Sequence, residues 1–189
     1  MSERADRDLG YTVERYFRLA QQGLLEETDH VELLEGLVVA SPPREPLHAA
    51  VAMCVDRSVR AAVGDRASIR IQMPLIGGSR SAPQPDLAVV EGTPASYRDR
   101  HPTTALLVVE IADTSLPQDR LTKSRIYARA NVTEYWIVNL RDRRVEVHLH
   151  PDRRSATYRA VIVAERGETV ELAGLPGTRV AISDLFPGY

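Results

Sequence analysis

Glu110, Asp86 and Lys123 are the residues whose type and setting point to chemistry. Glu110 interrupts an apolar run, LLVVEI at 106–111, that reads as a buried strand carrying one carboxylate near its end. An unpaired charge in a packed interior costs several kcal/mol in order of magnitude, so Glu110 must meet a cation, a hydrogen-bond network or water at an opening in the sheet. Asp86 begins PDLAVVE at 85–91, a strand entered through a proline, which is allowed at a first strand position. A carboxylate there can also simply cap a turn. Two carboxylates on strands joined by a long return connection can be sheet neighbours. Converging at one edge, they are the oxygen donors that Mg2+ or Mn2+ takes, with water and a phosphate oxygen completing the shell. Such an ion makes bound water more acidic and neutralises charge building on phosphorus, while a nearby ammonium steadies the attacking water or the phosphorane.

The ammonium has one source. Of 24 Lys and Arg residues, all but Lys123 are Arg, so the lone lysine marks a task that suits a compact point charge better than a guanidinium. A helix over 118–130 would place Lys123 on a stripe with Asp119, Ile126, Tyr127 and Ala130, and Thr122, Arg125 and Arg129 on the other side. Lys123 then leans toward the sheet. The same residues fit a purely structural ion-pair network, with Asp119 as the i, i+4 partner of Lys123.

The remaining chain must position these groups. Its 189 residues, 43% hydrophobic and 26% charged, suit one domain over 11–189 behind a flexible arm at 1–10. No apolar run approaches the ~20 residues of a membrane helix, and the polar start MSERADRDLG lacks a signal peptide's apolar segment. A cytoplasmic location is expected. The single cysteine, Cys54, rules out an internal disulfide and a Cys-rich zinc site, and reads as a small core residue. A net charge of -2 argues against coating nucleic acid by bulk charge.

In chain order, Thr12 caps a docking helix with Val13, Tyr16, Phe17, Ala20 and Leu24 on one face, ending near Gly23. Residues 31–41 form two short strands around Glu35 and Gly36, stopped by Pro42 and Pro43, with Glu32 pointing in or out according to register. A helix over 47–63 packs broadly on the sheet; His48 opens it and reads as a helix-terminal hydrogen-bonding residue. A strand at 67–75 and a mobile loop at 92–104 flank PDLAVVE. Beyond the Lys123 helix lies a hairpin turning at 141–143, with Trp136 as a core aromatic, and a second hairpin pairs 158–163 with 169–172. Leu185 and Phe186 plug the end of the chain.

The order Pro85, Asp86, then VVEI at 108–111 resembles the PD-(D/E)XK nuclease superfamily. That pattern expects a lysine two residues after Glu110, where this chain has Ala112. The same departure is seen in the restriction-endonuclease-like Uma-two family, in which the lysine has moved to the next helix. From about Val31 onward the chain is similar to that family in ELLEG followed by SP, His48, PDLAVV, LLVVEIADTS, the spacing of Asp119 and Lys123, IYARANVTEYWIV, and LPG before DLF. The resemblance implies an α/β (α+β) fold with a mixed central sheet flanked by helices. It implies a metal, Mg2+ or Mn2+, held by Asp86, Glu110 and the Ile111 carbonyl, with Lys123 supplying the catalytic cation. It matches the family's early acidic residue to Glu32 in preference to Glu35. The expected activity is metal-dependent endonuclease cleavage of nucleic acid, with DNA as the first-choice substrate. The alternatives are a non-catalytic nucleic-acid-binding or interaction protein that keeps the fold, and hydrolysis of another phosphate ester. Exposed hairpins and family habit suggest a homodimer, which would present two sites to two strands.

Overall fold

The computed structural model describes residues 10–25, 30–41 and 44–188. Apart from Gly10, the arm expected at 1–10 lies outside the described residues, as do Pro42 and Pro43. The chain opens with α1 (Val13–Gln21), β1 (Val31–Leu34), β2 (Leu37–Ala40) and the long α2 (Pro46–Val63). Next come β3 (Ser68–Ile71), β4 (Leu87–Val90) and β5 (Leu107–Ala112). A helix in three segments follows: α3 (Leu116–Gln118), a π-helical turn (Asp119–Lys123) and α4 (Ser124–Arg129). The last strands are β6 (Glu134–Asn139), β7 (Arg144–Asp152), β8 (Thr157–Ala164), β9 (Thr169–Glu171) and β10 (Arg179–Ala181).

Six strands build one sheet in the order β3-β4-β5-β6-β7-β8, and all its pairings are antiparallel except β5 with β6. A parallel pair needs a crossover, and the α3 to α4 helix supplies it. Period-two alternation then sorts side chains between two layers. Leu107, Val109 and Ile111, with Leu87, Val89 and Trp136, pack on one face against Val51, Val55, Val59 and Val63 of α2. That i, i+4 valine row is why α2 lies along the sheet. Val108 and Ala112, with Ala88, Val90, Tyr135 and Ile137, pack on the other face against Tyr127 and Ala128 of α4. Glu110 shares the parity of Val108 and Ala112, so it faces the helix that carries Lys123. The mixed sheet flanked by helices is the expected fold, and Trp136 is fully buried in its core.

The β1–β2 hairpin stands apart as its own sheet, tied to the rest through a bridge between Leu33 and Ala82. Glu35 and Gly36 both take positive φ, 50° and 90°, the pattern of a two-residue type I′ turn. Thr12 does cap α1, accepting from the Arg15 N–H at 3.2 Å. The docking face is narrower than expected: Tyr16 is buried, Ala20 is exposed, and Leu24 lies 66% exposed beyond the helix.

Other expectations need correction. The strand at 67–75 stops at Ile71 because Gln72 turns to φ 51°, and Leu75 instead anchors a loop by bonding to the Pro83 carbonyl. The 92–104 segment is a loop, as expected, and it holds a short 3-10 turn, Pro94–Tyr97, with reciprocal Thr93 and Ser96 bonds. Cys54 is half-buried. The second hairpin is absent among the described residues: β8 pairs with β7, and β9 pairs with β10. The alternation in 169–172 serves packing, since Val170 and Leu172 sink into the α2-side core beside Val180 and Ile182. A turn at 165–168 directs the chain there, with the Glu168 N–H bonded to the Glu165 carbonyl.

Candidate functional site

Lys123 is the hub. Its Nζ lies 3.0 Å from Glu110 Oε1, 3.2 Å from Glu32 Oε1 and 3.9 Å from Asp119 Oδ1, and all four side chains are buried. The segment that carries Asp119 and Lys123 is a π turn. Through it the i, i+4 spacing still keeps Asp119 and Lys123 both inward, while Leu121 between them is 68% exposed. The inward stripe read from the sequence is therefore present, carried by a π turn in place of regular helix.

Each carboxylate is held by a different element. Tyr127, one helical turn beyond Lys123, donates its hydroxyl to Glu110 Oε1 at 2.6 Å. Lys123 and Tyr127 thus both engage Oε1. Glu32 points inward, and its Oε2 accepts the backbone N–H of Gln84 at 3.1 Å. Ser115 Oγ donates to Asp119 Oδ2 at 2.7 Å, and Tyr135 donates its hydroxyl to the Asp119 carbonyl at 3.2 Å. Glu35 is elsewhere, paired with Arg125 and Arg129 on the outer face of α4.

Asp86 precedes β4, and the register that sets Leu87 opposite Val109 continues to set Asp86 opposite Glu110. Its Oδ2 accepts the Ile111 N–H at 2.9 Å and lies 3.5 Å from His48 Nε2. Arg44 Nε stands 3.8 Å from Oδ1. His48 therefore does not serve its own helix end: it reaches across to Asp86, and its buried Nδ1 has no hydrogen-bond partner.

The electrostatics follow from the crowding. Burial pushes the Glu110 carboxyl well up; Lys123 opposes this, and Asp119, Asp86 and Glu32 reinforce it. Burial likewise raises Asp119 to about 6, against the pull of Lys123 and the Ser115 bond. Burial works to lower Lys123, but Glu110, Glu32 and Asp119 outweigh it and hold the ammonium protonated. At Asp86 burial acts upward and is overcome by the His48 contact, the Ile111 N–H and Lys123, so this carboxyl lies below its usual range. Three carboxylates thus surround one ammonium, and Asp86 beside them feels its charge.

Two of them, Asp86 and Glu110, are hard oxygen donors on adjacent strands, and the donor type fits a divalent cation. Among the described residues no three His, Cys, Asp or Glu side chains form a ready metal cluster. The fit is to an ion such as Mg2+, which binds through one or two carboxylates and keeps water and phosphate oxygens for the rest.

The sequence placed Glu110, Lys123, Glu32 and Asp86 at this end of the sheet and left out the groups that hold them. Tyr127 was legible on the Lys123 stripe, four residues on, but nothing marked its hydroxyl for Glu110. The Gln84 N–H and the His48 contact with Asp86 depend on how a loop and a helix end meet the strands, which no local pattern encodes.

No curated protein matches the chain. A crystal structure described as a "putative nuclease belonging to DUF820" from Anabaena variabilis shares the fold, with a TM-score of 0.72 and 17% identity, covering 93% of this chain and 97% of that one. No helix among the described residues is long and apolar enough to cross a membrane. The model of the family described as "Uma2: Putative restriction endonuclease" matches residues 13–183, nearly the whole length, and the chain belongs to that family.

Proposed function

We propose that the protein is a divalent-metal-dependent endonuclease acting on DNA, with Asp86, Glu110 and the Ile111 carbonyl holding Mg2+ or Mn2+. The observation that carries this reading is the surplus of buried carboxylates, Glu32, Glu110 and Asp119 on Lys123 with Asp86 alongside. A stability-driven core would replace such a group with apolar residues at little cost. The surplus suits a site completed by a cation.

A bound cation supplies Lewis acidity toward water and a phosphate oxygen. The protein's own groups supply the rest. Tyr127 and Lys123 fix Glu110 through Oε1, so its remaining oxygen is aimed rather than free to rotate. Asp86 is fixed by the Ile111 N–H and stays ionised. The Lys123 ammonium, 3.0 Å from Glu110, is the positive charge that would counter negative charge growing as the phosphodiester is attacked. Glu32 and Asp119 keep that ammonium in place. We also take the working unit to be a homodimer.

Cleavage of supercoiled plasmid and single-stranded DNA with Mg2+ or Mn2+ tests the reading. Metal-dependent cleavage by the wild type, lost in Glu110→Ala and in Lys123→Ala, is expected. No cleavage with either metal, from a folded wild type, contradicts it and favours a binding protein that retains the fold.

A further inference from the structure

The two edges of the main sheet are unlike. β3, at one edge, has four residues and carries Arg70, and short charged edges resist pairing with other chains. β8, at the other edge, runs for eight residues, and β9 turns away from it to pair with β10. From Ala160 to Ala164 it has no charge, and Val161, Ile162 and Val163 are 51%, 49% and 47% exposed. A long apolar edge with unpaired backbone groups is a template for another strand.

We infer that β8 is the interface through which two copies of this chain associate, edge to edge and antiparallel, about a two-fold axis at Ile162. The register follows from symmetry and charge. Opposed residues of an antiparallel pair lie on the same face, so a two-fold axis normal to the sheet must pass through a residue, not between two. An axis at Ile162 sets Ile162 against its own copy and Val161 against Val163, and twice brings the exposed Arg159, which also holds Asp152 of its own chain at 2.9 Å, level with the exposed Glu165 just past the strand's end. Axes at Ala160 or Val161 oppose Arg159 to valine. Only the Ile162 register gains both apolar pairs and two opposite-charge pairs, each a recognised source of sheet stabilisation. A second copy is the one partner certain to bring the complementary strand, and isologous pairing is how C2 dimers form. The interface lies three strands from Glu110, so it does not depend on the nuclease reading.

Cross-linking reads the register. In a Cys54→Ser background, Ile162→Cys should form an intermolecular disulfide on mild oxidation, because directly opposed residues have Cα atoms about 4.5–5.5 Å apart, within disulfide reach. Ala160→Cys, on the same face but four residues out of register with its own copy, should not. Sedimentation should give twice the 21.0 kDa chain mass for the wild type and the chain mass for Ile162→Lys, both with native circular dichroism. Arg159→Glu should weaken the dimer, and adding Glu165→Arg should restore it. A wild type monomeric at all concentrations, or a dimer indifferent to Ile162→Lys, overturns the interface; cross-linking through position 160 in place of 162 overturns the register.

Discussion

Glu32 and Glu35 sit three residues apart on one hairpin and reach three cations of the same segmented helix, yet they do different work. Glu32 meets Lys123 in the interior, while Glu35 meets Arg125 and Arg129 where the partners are 41% and 51% exposed. At the surface the guanidinium fork grips Glu35 through both oxygens, and it holds a non-glycine residue at φ 50°. Inside, one compact ammonium touches three separate carboxylates, which a planar fork cannot do at the same distances. The chain's use of arginine everywhere except 123 follows from that difference. The outer pair fastens the hairpin. The inner one poises charge.

The largest break in this comparison is Lys123→Met. It leaves Glu110, Glu32 and Asp119 without their shared cation, and should cost about 3–5 kcal/mol in urea unfolding as well as abolishing cleavage. Lys123→Arg should retain charge but not activity. A buried histidine away from the site gives the next effect. His148, packed between Tyr135 and Tyr158, is held down to about 4 from 6.5 by burial; nearby Arg120 adds to this and Glu146 opposes it. Because its folded pKa is depressed, its contribution is complete above pH 6.5 and is lost as pH falls toward 4, reaching about 3 kcal/mol at 1.36 kcal/mol per unit. His148→Phe should flatten that acid limb in unfolding measured from pH 7 to 4. Tyr127→Phe removes a buried donor to Glu110 and should cost about 1–2 kcal/mol, with a larger fall in kcat than in substrate affinity. Glu35→Gln, on the exposed side, should cost about 1 kcal/mol or less by thermal unfolding, and cleavage should persist.

These contrasts also show what the sequence could carry. The apolar run LLVVEI marked Glu110 as a carboxylate in a buried strand, and a solitary lysine among arginines flagged residue 123, because both are local facts about residue type and spacing. The register of β1 was ambiguous: Glu32 could have faced out, and only the packing of Leu33 against Ala82 turned it in. The 158–163 with 169–172 hairpin misled because alternation reports one buried face without saying what covers it. His48 does sit at a helix end and engage a partner, as read, but which partner was not legible. Its helix-end position was read correctly, but Asp86 comes from a strand 38 positions later. Contacts between distant segments were the part that local pattern could not supply.

The central claim is that this cluster of carboxylates is completed by a divalent cation, and titration of the protein with Mn2+, followed by calorimetry, tests it most directly. The account predicts one site per chain in the wild type, lost in Asp86→Asn and in Glu110→Gln while circular dichroism stays native. A folded wild type that takes up no Mn2+, or variants that bind it as the wild type does, would contradict the account and return Glu110 and Lys123 to a structural ion-pair network.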